Sequence, residues 1–226
     1  MILRLIIFLF PVFTLSQNII DENQMKQGEW IQKYPNGNIR YEGEFIDNEP
    51  VGMFNYYTEN GILKANLEYF NDGKSSSVRL YYPNGVTSAT GVYLNQKKDQ
   101  HWKYFNTNGI LIKEEHYISG KLEGKVITYY NDSSILLESN YTNGIKNGSS
   151  IQYYMDGNTM VDCFYSNGLL HNKYILYYAD GVKEYEGNYL KDKKNGVWKY
   201  FKEDGSLDYE IEYMNGIQMT TFDEKR

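Results

Sequence analysis

Six carboxylates, Glu42, Glu114, Glu138, Asp162, Glu186 and Glu210, share one 24-residue grid, and three histidines, His101, His116 and His171, and one cysteine, Cys163, are the other groups whose types invite chemistry. Paired carboxylates can divide acid and base roles, a histidine beside a carboxylate can move protons, and a cysteine beside a histidine can be a nucleophile. The spacing defeats each of these. The acids recur on every second predicted strand, too far apart to work as a pair. No His-Glu-x-x-His run, Gly-x-Ser-x-Gly elbow, phosphate loop, Cys/His metal spacing or calcium loop is present. The sequence therefore assigns no catalytic, cofactor-binding or metal-ligating residue and calls for no cofactor. The acidic column reads as a solubilising face with Lys33, Lys103 and Lys199 as cross-strand partners. Such exposed pairs are worth ~0.2–1 kcal/mol each. Antiparallel pairing could set His101 near Glu114, an ordinary surface contact. Cys163 falls on the apolar side of its strand, six residues after Gly157, and is expected to pack as a small hydrophobe. Alone, it forms no disulfide within the chain.

The elements that would carry these groups repeat. Phe45, Tyr69, Tyr93, Tyr117, Tyr141, Tyr165, Tyr189 and Tyr213 are spaced by 24 residues, and so are Gly37, Gly61, Gly85, Gly109, Ser133, Gly157, Gly181 and Gly205. All these glycines follow Asn or Asp, and Ser133 follows Asp132. Asn-Gly between apolar runs signals a tight hairpin. Aromatic pairs such as Tyr56-Tyr57 and Tyr200-Phe201 precede most of these turns, as strands favour. After each turn the side chains alternate, as in Ile39, Tyr41, Gly43 and Phe45 against Arg40, Glu42 and Glu44. The alternation weakens where Lys113 and Glu115 fall on the apolar side.

A second grid holds Gly28, Gly52, Gly124, Gly148 and Gly196, with Trp30, Phe54, Val78, Trp102, Val126, Ser150, Tyr174 and Trp198 two residues after its positions. A longer turn is expected at Asn48, Asp72, Gly120, Gly144, Gly168, Asp192 and Gly216. Tyr57, Phe105 and Phe201 lie four residues before their glycine and Tyr34, Tyr82 and Tyr130 three, which suggests two loop lengths. The fold class expected is all-β: an elongated single antiparallel meander of about eight 24-residue hairpins over residues 28–219, with a cap and tail at 220–226. Phe222, 24 after Trp198, begins a truncated ninth first strand. The aromatic stripe from Phe45 to Tyr213 is the expected glue and the candidate binding stripe, its tyrosine tips suited to a half-covered face.

The net charge of −6 disfavours nucleic acid as a partner. Lys97-Lys98 and Lys193-Lys194 read as solvated turn charge. Residues 1–16 differ in kind: Arg4, an apolar run from Leu5 to Leu15 and then Ser16 describe a secretory signal, followed by a polar leader at 17–27. The run is too short to span a bilayer comfortably, so no membrane anchor is expected after cleavage.

Tyr41-Glu-Gly-Glu-Phe45, Gly187-Asn-Tyr189 and Gly196-Val-Trp-Lys-Tyr-Phe201 resemble the MORN repeat, more closely its bacterial variant, and the resemblance runs over residues 28–219. It implies a twisted stack of hairpins with binding or scaffolding roles and no catalytic residues. Some bacterial relatives are antitoxin or immunity proteins. Leu67, Glu115, Ser139 and Ile211 depart from the family glycine at Gly43, Gly91 and Gly187. The function expected is an exported, non-enzymatic scaffold of a bacterial periplasm, cell surface or extracellular space, binding a protein or extended polymer along the sheet. An antitoxin-type protein is the alternative. A hydrolase acting on carbohydrate or peptide would need a repeat with a carboxylate pair or nucleophile that its siblings lack.

Overall fold

The computed structural model describes residues 17–70 and 73–222; the expected signal segment, the turn residue Asp72 and the tail Asp223–Arg226 lie outside them. The described residues form nineteen β-strands and no helix. They divide into two compact units, one through Gly73 and one from Lys74.

The first unit contains β1 (Ile19–Ile20), β2 (Lys26–Lys33), β3 (Ile39–Ile46), β4 (Glu49–Tyr57) and β5 (Leu63–Tyr69), each antiparallel to the next. The second runs through β6 (Ser75–Tyr81), β7 (Thr87–Leu94), β8 (Lys97–Phe105), β9 (Leu111–Ile118), β10 (Lys121–Leu122), β11 (Gly124–Tyr129), β12 (Ile135–Thr142), β13 (Ile145–Tyr153), β14 (Thr159–Ser166), β15 (Leu169–Tyr177), β16 (Lys183–Leu190), β17 (Lys193–Phe201), β18 (Leu207–Met214) and β19 (Ile217–Phe222). Here too successive strands pair antiparallel, except that β10 and β11 do not pair with each other but share β9 as halves of one interrupted strand. The all-β antiparallel meander expected from the 24-residue period is what both units show.

The two kinds of turn exchange their expected roles. The tight connections are those expected to be longer: Asp47-Asn48, Ser119-Gly120, Asn143-Gly144, Asn167-Gly168 and Lys191-Asp192 each join two strands with both residues at positive φ. That conformation matches the strand twist in a two-residue hairpin. The Asn-Gly positions instead close three-residue loops. The Gly37 N–H donates to the Tyr34 carbonyl at 3.0 Å and the Tyr34 N–H to the Asn38 carbonyl at 2.8 Å, with only Gly37 left-handed. Asn36 is kept for its side chain, whose Oδ1 accepts the Asn38 N–H at 3.0 Å. The loop length is also constant. Thr58, Asn106 and Lys202 make the same bonds as Tyr34 and Tyr82. The apparent second length came from Tyr57, Phe105 and Phe201, which are the last residues of their strands.

In three of the tight hairpins a bulge sets one residue against three: Gly43 faces residues 52–54, Gly91 faces 100–102 and Gly187 faces 196–198. Left-handed Gly52, Gln100 and Gly196 turn the strand there. The ring that follows folds back over the opposing glycine. A Cβ at Gly43 would stand 2.5 Å from the Phe54 ring, and at Gly91 or Gly187 2.3 Å from the indoles of Trp102 and Trp198. Phe54, Trp102 and Trp198 are fully buried, and Val78, Val126 and Ser150 on the same grid are buried too. This column, not the tyrosine stripe, is the core. Where the glycine slot holds Ser139, the partner shrinks to Ser150, their hydroxyls 2.8 Å apart. Where it holds Cys163, the register partner Tyr174 keeps a ring.

β19 is the expected ninth first strand, but its register slips. Glu210 pairs with Phe222, whereas Glu186 pairs with Lys199, so Phe222 takes the place of Lys199 and not of Trp198. Thr220 stands where the repeat has Gly196, and a β-branched residue resists the left-handed bulge.

Candidate binding surface

The core column leaves each sheet with one packing face and one open face. Across the second unit, register partners on the open face form an unbroken row: Arg79, Thr90, Lys103, Glu114, Ile127, Glu138, Ile151, Asp162, Ile175, Glu186, Lys199 and Glu210. The acids stand on alternate strands, about 10 Å apart at two strand spacings, too distant to share a proton. Between them lie three isoleucines and the lysines. Lys125 reaches Glu138 at 3.0 Å, Lys173 reaches Asp162 at 2.5 Å, and Lys199 reaches Glu210 at 3.5 Å. Lys199 is thus the cross-strand partner expected of it, and Lys103 faces Glu114 in register, where Glu114 accepts the Tyr129 hydroxyl at 3.1 Å. Glu42 instead accepts from the Tyr57 hydroxyl at 2.6 Å and the Asn55 amide at 3.1 Å, so Lys33 is not its partner. Donating to the Glu42 carboxylate pushes the Tyr57 phenol up to about 12.

Two shallow depressions share Glu186 and Lys199. One, of about 390 Å³, adds Val182, Lys183, Phe201 and Leu207; the other, of about 260 Å³, adds Lys173, Ile175 and Val197. Phe164 and Val197 remain 38 % and 42 % exposed on this face. In the first unit Met53 is 53 % exposed beside Ile31, Glu42 and Glu44.

The stripe from Phe45 to Tyr213 lies on the packing face, half-buried throughout. Its members are two strands apart and do not stack on one another. They clamp the core rings edge-on: Phe45 and Tyr69 at 5.2 Å from Phe54, Tyr93 and Tyr117 at 5.1 and 6.5 Å from Trp102, Tyr189 and Tyr213 at 5.0 and 6.4 Å from Trp198. The ring faces are already taken. The Lys98 ammonium sits 4.6 Å from the Trp102 centroid and donates to the Tyr104 hydroxyl at 2.6 Å. Lys194 sits 4.2 Å from Trp198 and donates to Tyr200 at 2.9 Å. These two lysines are therefore not solvated turn charge: their stems lie along the aromatic face and their heads gain cation–π attraction. Burial holds the Lys98 amine below its usual value.

Glu115 occupies a glycine slot beside this cage and is buried. It pairs with Lys113 at 2.5 Å and accepts the Tyr117 hydroxyl at 2.7 Å. Burial pushes its carboxyl up, but Lys113, Tyr104 and Tyr117 outweigh burial and hold it below the usual range. Burial and the Glu115 contact raise the Tyr117 phenol to about 12. This satisfied network explains the broken alternation at Lys113 and Glu115. Cys163 is buried as expected, with its Sγ 3.4 Å from the Ser150 carbonyl and its thiol pushed up by burial. His101 does not meet Glu114; its register partner is His116, at 4.8 Å between ring centroids.

Residues 26–47, 101–119, 122–143 and 194–215 match a family described as MORN repeat variant. No curated protein matches the chain. Among solved structures, it is similar to one titled "Crystal Structure of TarM", at 12% identity and TM-score 0.24, over 52% of this chain and 20% of that one. It is also similar to "Crystal Structure of TcdB2-TccC3-Cdc42", at 12% identity and TM-score 0.19, over 84% of this chain and 12% of that one. A third, "Structure of Photorhabdus luminescens Tc holotoxin pore, Mutation TccC3-D651A", is matched at 11% identity and TM-score 0.20, over 89% of this chain and 12% of that one. The chain thus spans a fifth or less of the length of each of these.

Proposed function

Because the chain is a MORN-repeat protein, we propose that it is a non-enzymatic scaffold that binds a protein or an extended polymer along the open face of its repeats. The supporting observation is the pattern on that face: Phe164 and Val197 stand 38 % and 42 % exposed among cross-strand ion pairs, opposite a column that already satisfies packing. Exposed apolar groups rimmed by charge suit a partner surface. The packing face supports binding less well, since Lys98 and Lys194 cover its rings. The basic start and apolar run of residues 1–16 support export, with a mature chain beginning near Gln17.

The test is capture by the mature chain with a photo-crosslinker placed at Lys173 on the same face, repeated with Phe164→Lys and with Val197→Lys. A partner lost in both variants, but retained when the loop residue Asn158 is changed, is the expected result. Turnover of a substrate panel without any captured partner overturns the scaffold reading. N-terminal sequencing of the chain from the extracellular or envelope fraction tests export, and an intact residue 1 in the cytosol refutes it.

A further inference from the structure

We propose that His101 and His116 form a two-imidazole site for a late first-row divalent cation, such as Cu²⁺, Ni²⁺ or Zn²⁺, on the open face of the second unit. The two residues are cross-strand partners on β8 and β9. Both point away from the core, since their neighbours Trp102 and Glu115 are buried on the other face. Their ring centroids are 4.8 Å apart with planes inclined by 62°. Two imidazoles on one metal, with bonds of about 2.0–2.1 Å and an angle between square and tetrahedral, place their centroids roughly 4.5–5 Å apart.

The protonation pattern also fits. The His116 Nδ1 lies 3.3 Å from the Glu123 carbonyl oxygen. A carbonyl only accepts, so Nδ1 carries the hydrogen and Nε2 offers its lone pair. This is the outer-shell bond that orients a ligating histidine. The nearby cation Lys125 is turned to Glu138 at 3.0 Å, and Asp99 is engaged by the Ser119 N–H at 2.9 Å. Lys103 and Glu114 are register partners of each other. The equivalent pairs in other repeats are Glu29 with Glu44, Met53 with Glu68, Ser77 with Val92, Lys125 with Asn140, Ser149 with Phe164, Lys173 with Asn188 and Val197 with Glu212; none sets two imidazoles together, and the two carboxylates of Glu29 and Glu44 are harder oxygen donors less suited to these cations. Among the described residues no group of three or more His, Cys, Asp or Glu is placed to hold a metal. The bound ion would therefore keep positions open for water or for a donor from another molecule, and the order of affinity should follow Cu²⁺ over Ni²⁺ and Zn²⁺.

The experiment titrates the full chain with Cu²⁺ and with Zn²⁺. The expected result is one saturable site, an EPR spectrum with two nitrogen ligands, and Zn²⁺-dependent shifts of the His101 and His116 imidazole ¹⁵N resonances in the unaltered protein. His101→Asn and His116→Asn should each weaken binding about ten-fold or more with an unchanged far-UV CD spectrum. His171→Asn should leave binding intact. An absence of saturable binding, binding insensitive to both substitutions, or metal-dependent shifts confined to other residues overturns the proposal, whether or not the variants fold.

Discussion

At the scale of single residues, the repeat works by matching a missing side chain to a large one. The indole of Trp198 fills the space over Gly187 to 2.3 Å from where a Cβ would be. Gly187→Ala should therefore cost about 1–3 kcal/mol through overpacking. Trp198→Val should relieve part of that clash, so the double variant should lose less than the two single losses added; strictly additive losses in urea unfolding would refute the pairing. The opposite case is Ser133, which sits at φ 72 where its siblings have glycine. Ser133→Gly should raise stability by about 1 kcal/mol, read as a higher urea midpoint at constant slope. Glu115 carries the pH dependence. Its folded carboxyl is held below its ordinary value. Its contribution is thus whole above the unfolded carboxylate pKa, about 4.3, and is lost as pH falls through the lower folded value. Thermal melts should show the parent losing stability on acidification below about pH 5 more steeply than Glu115→Gln, and equal slopes would contradict the assignment.

At the scale of elements, hairpins are tied to their successors by regular bonds at both ends. At the three-residue loops the hydroxyls of Tyr34, Tyr82, Tyr130, Tyr154 and Tyr178 donate to carbonyls 23 residues on, at 2.8 to 3.3 Å. At the tight turns the N–H groups of Ser119, Asn143 and Asn167 are accepted by side chains 20 residues back. Tyr130→Phe and Tyr154→Phe should each cost about 0.5–1.5 kcal/mol in urea unfolding, while the rings stay packed. A change within error in both would show that water replaces the bond freely. The period, the strand alternation and the half-covered tyrosines were legible because they are local. The exchange of turn types was not: Asn-Gly serves two hairpin geometries, and which one forms depends on the bulge and strand pairing that follow. The core column was visible as a grid, but its burial over Gly43, Gly91 and Gly187 follows from a one-against-three bulge that no spacing announces. The meeting of His101 with His116 likewise depends on register, as did the failed expectation for Glu114.

At the scale of the whole molecule, each hairpin in the second unit touches its chain neighbours, so stability should behave as a sum of repeats and the interfaces between them. Phase then matters more than length. Removing residues 135–158 takes out one full period and joins Ser134 to Thr159, the residue 24 after Ile135. The open-face row then passes from Ile127 to Asp162 in place of Glu138, so Lys125 keeps an acid to meet. On the packing face Val126 would face Cys163, a residue about the size of the lost Ser139, which is already buried in the intact chain. The shortened protein should keep its β-sheet far-UV CD spectrum and melt cooperatively at a lower temperature. Removing only residues 135–146 is a smaller cut, yet it leads from a three-residue loop into the middle of β13 and sets the wrong face inward. That variant should unfold or aggregate. If the half-period deletion proves as stable as the full-period one, repeat phase does not govern this fold.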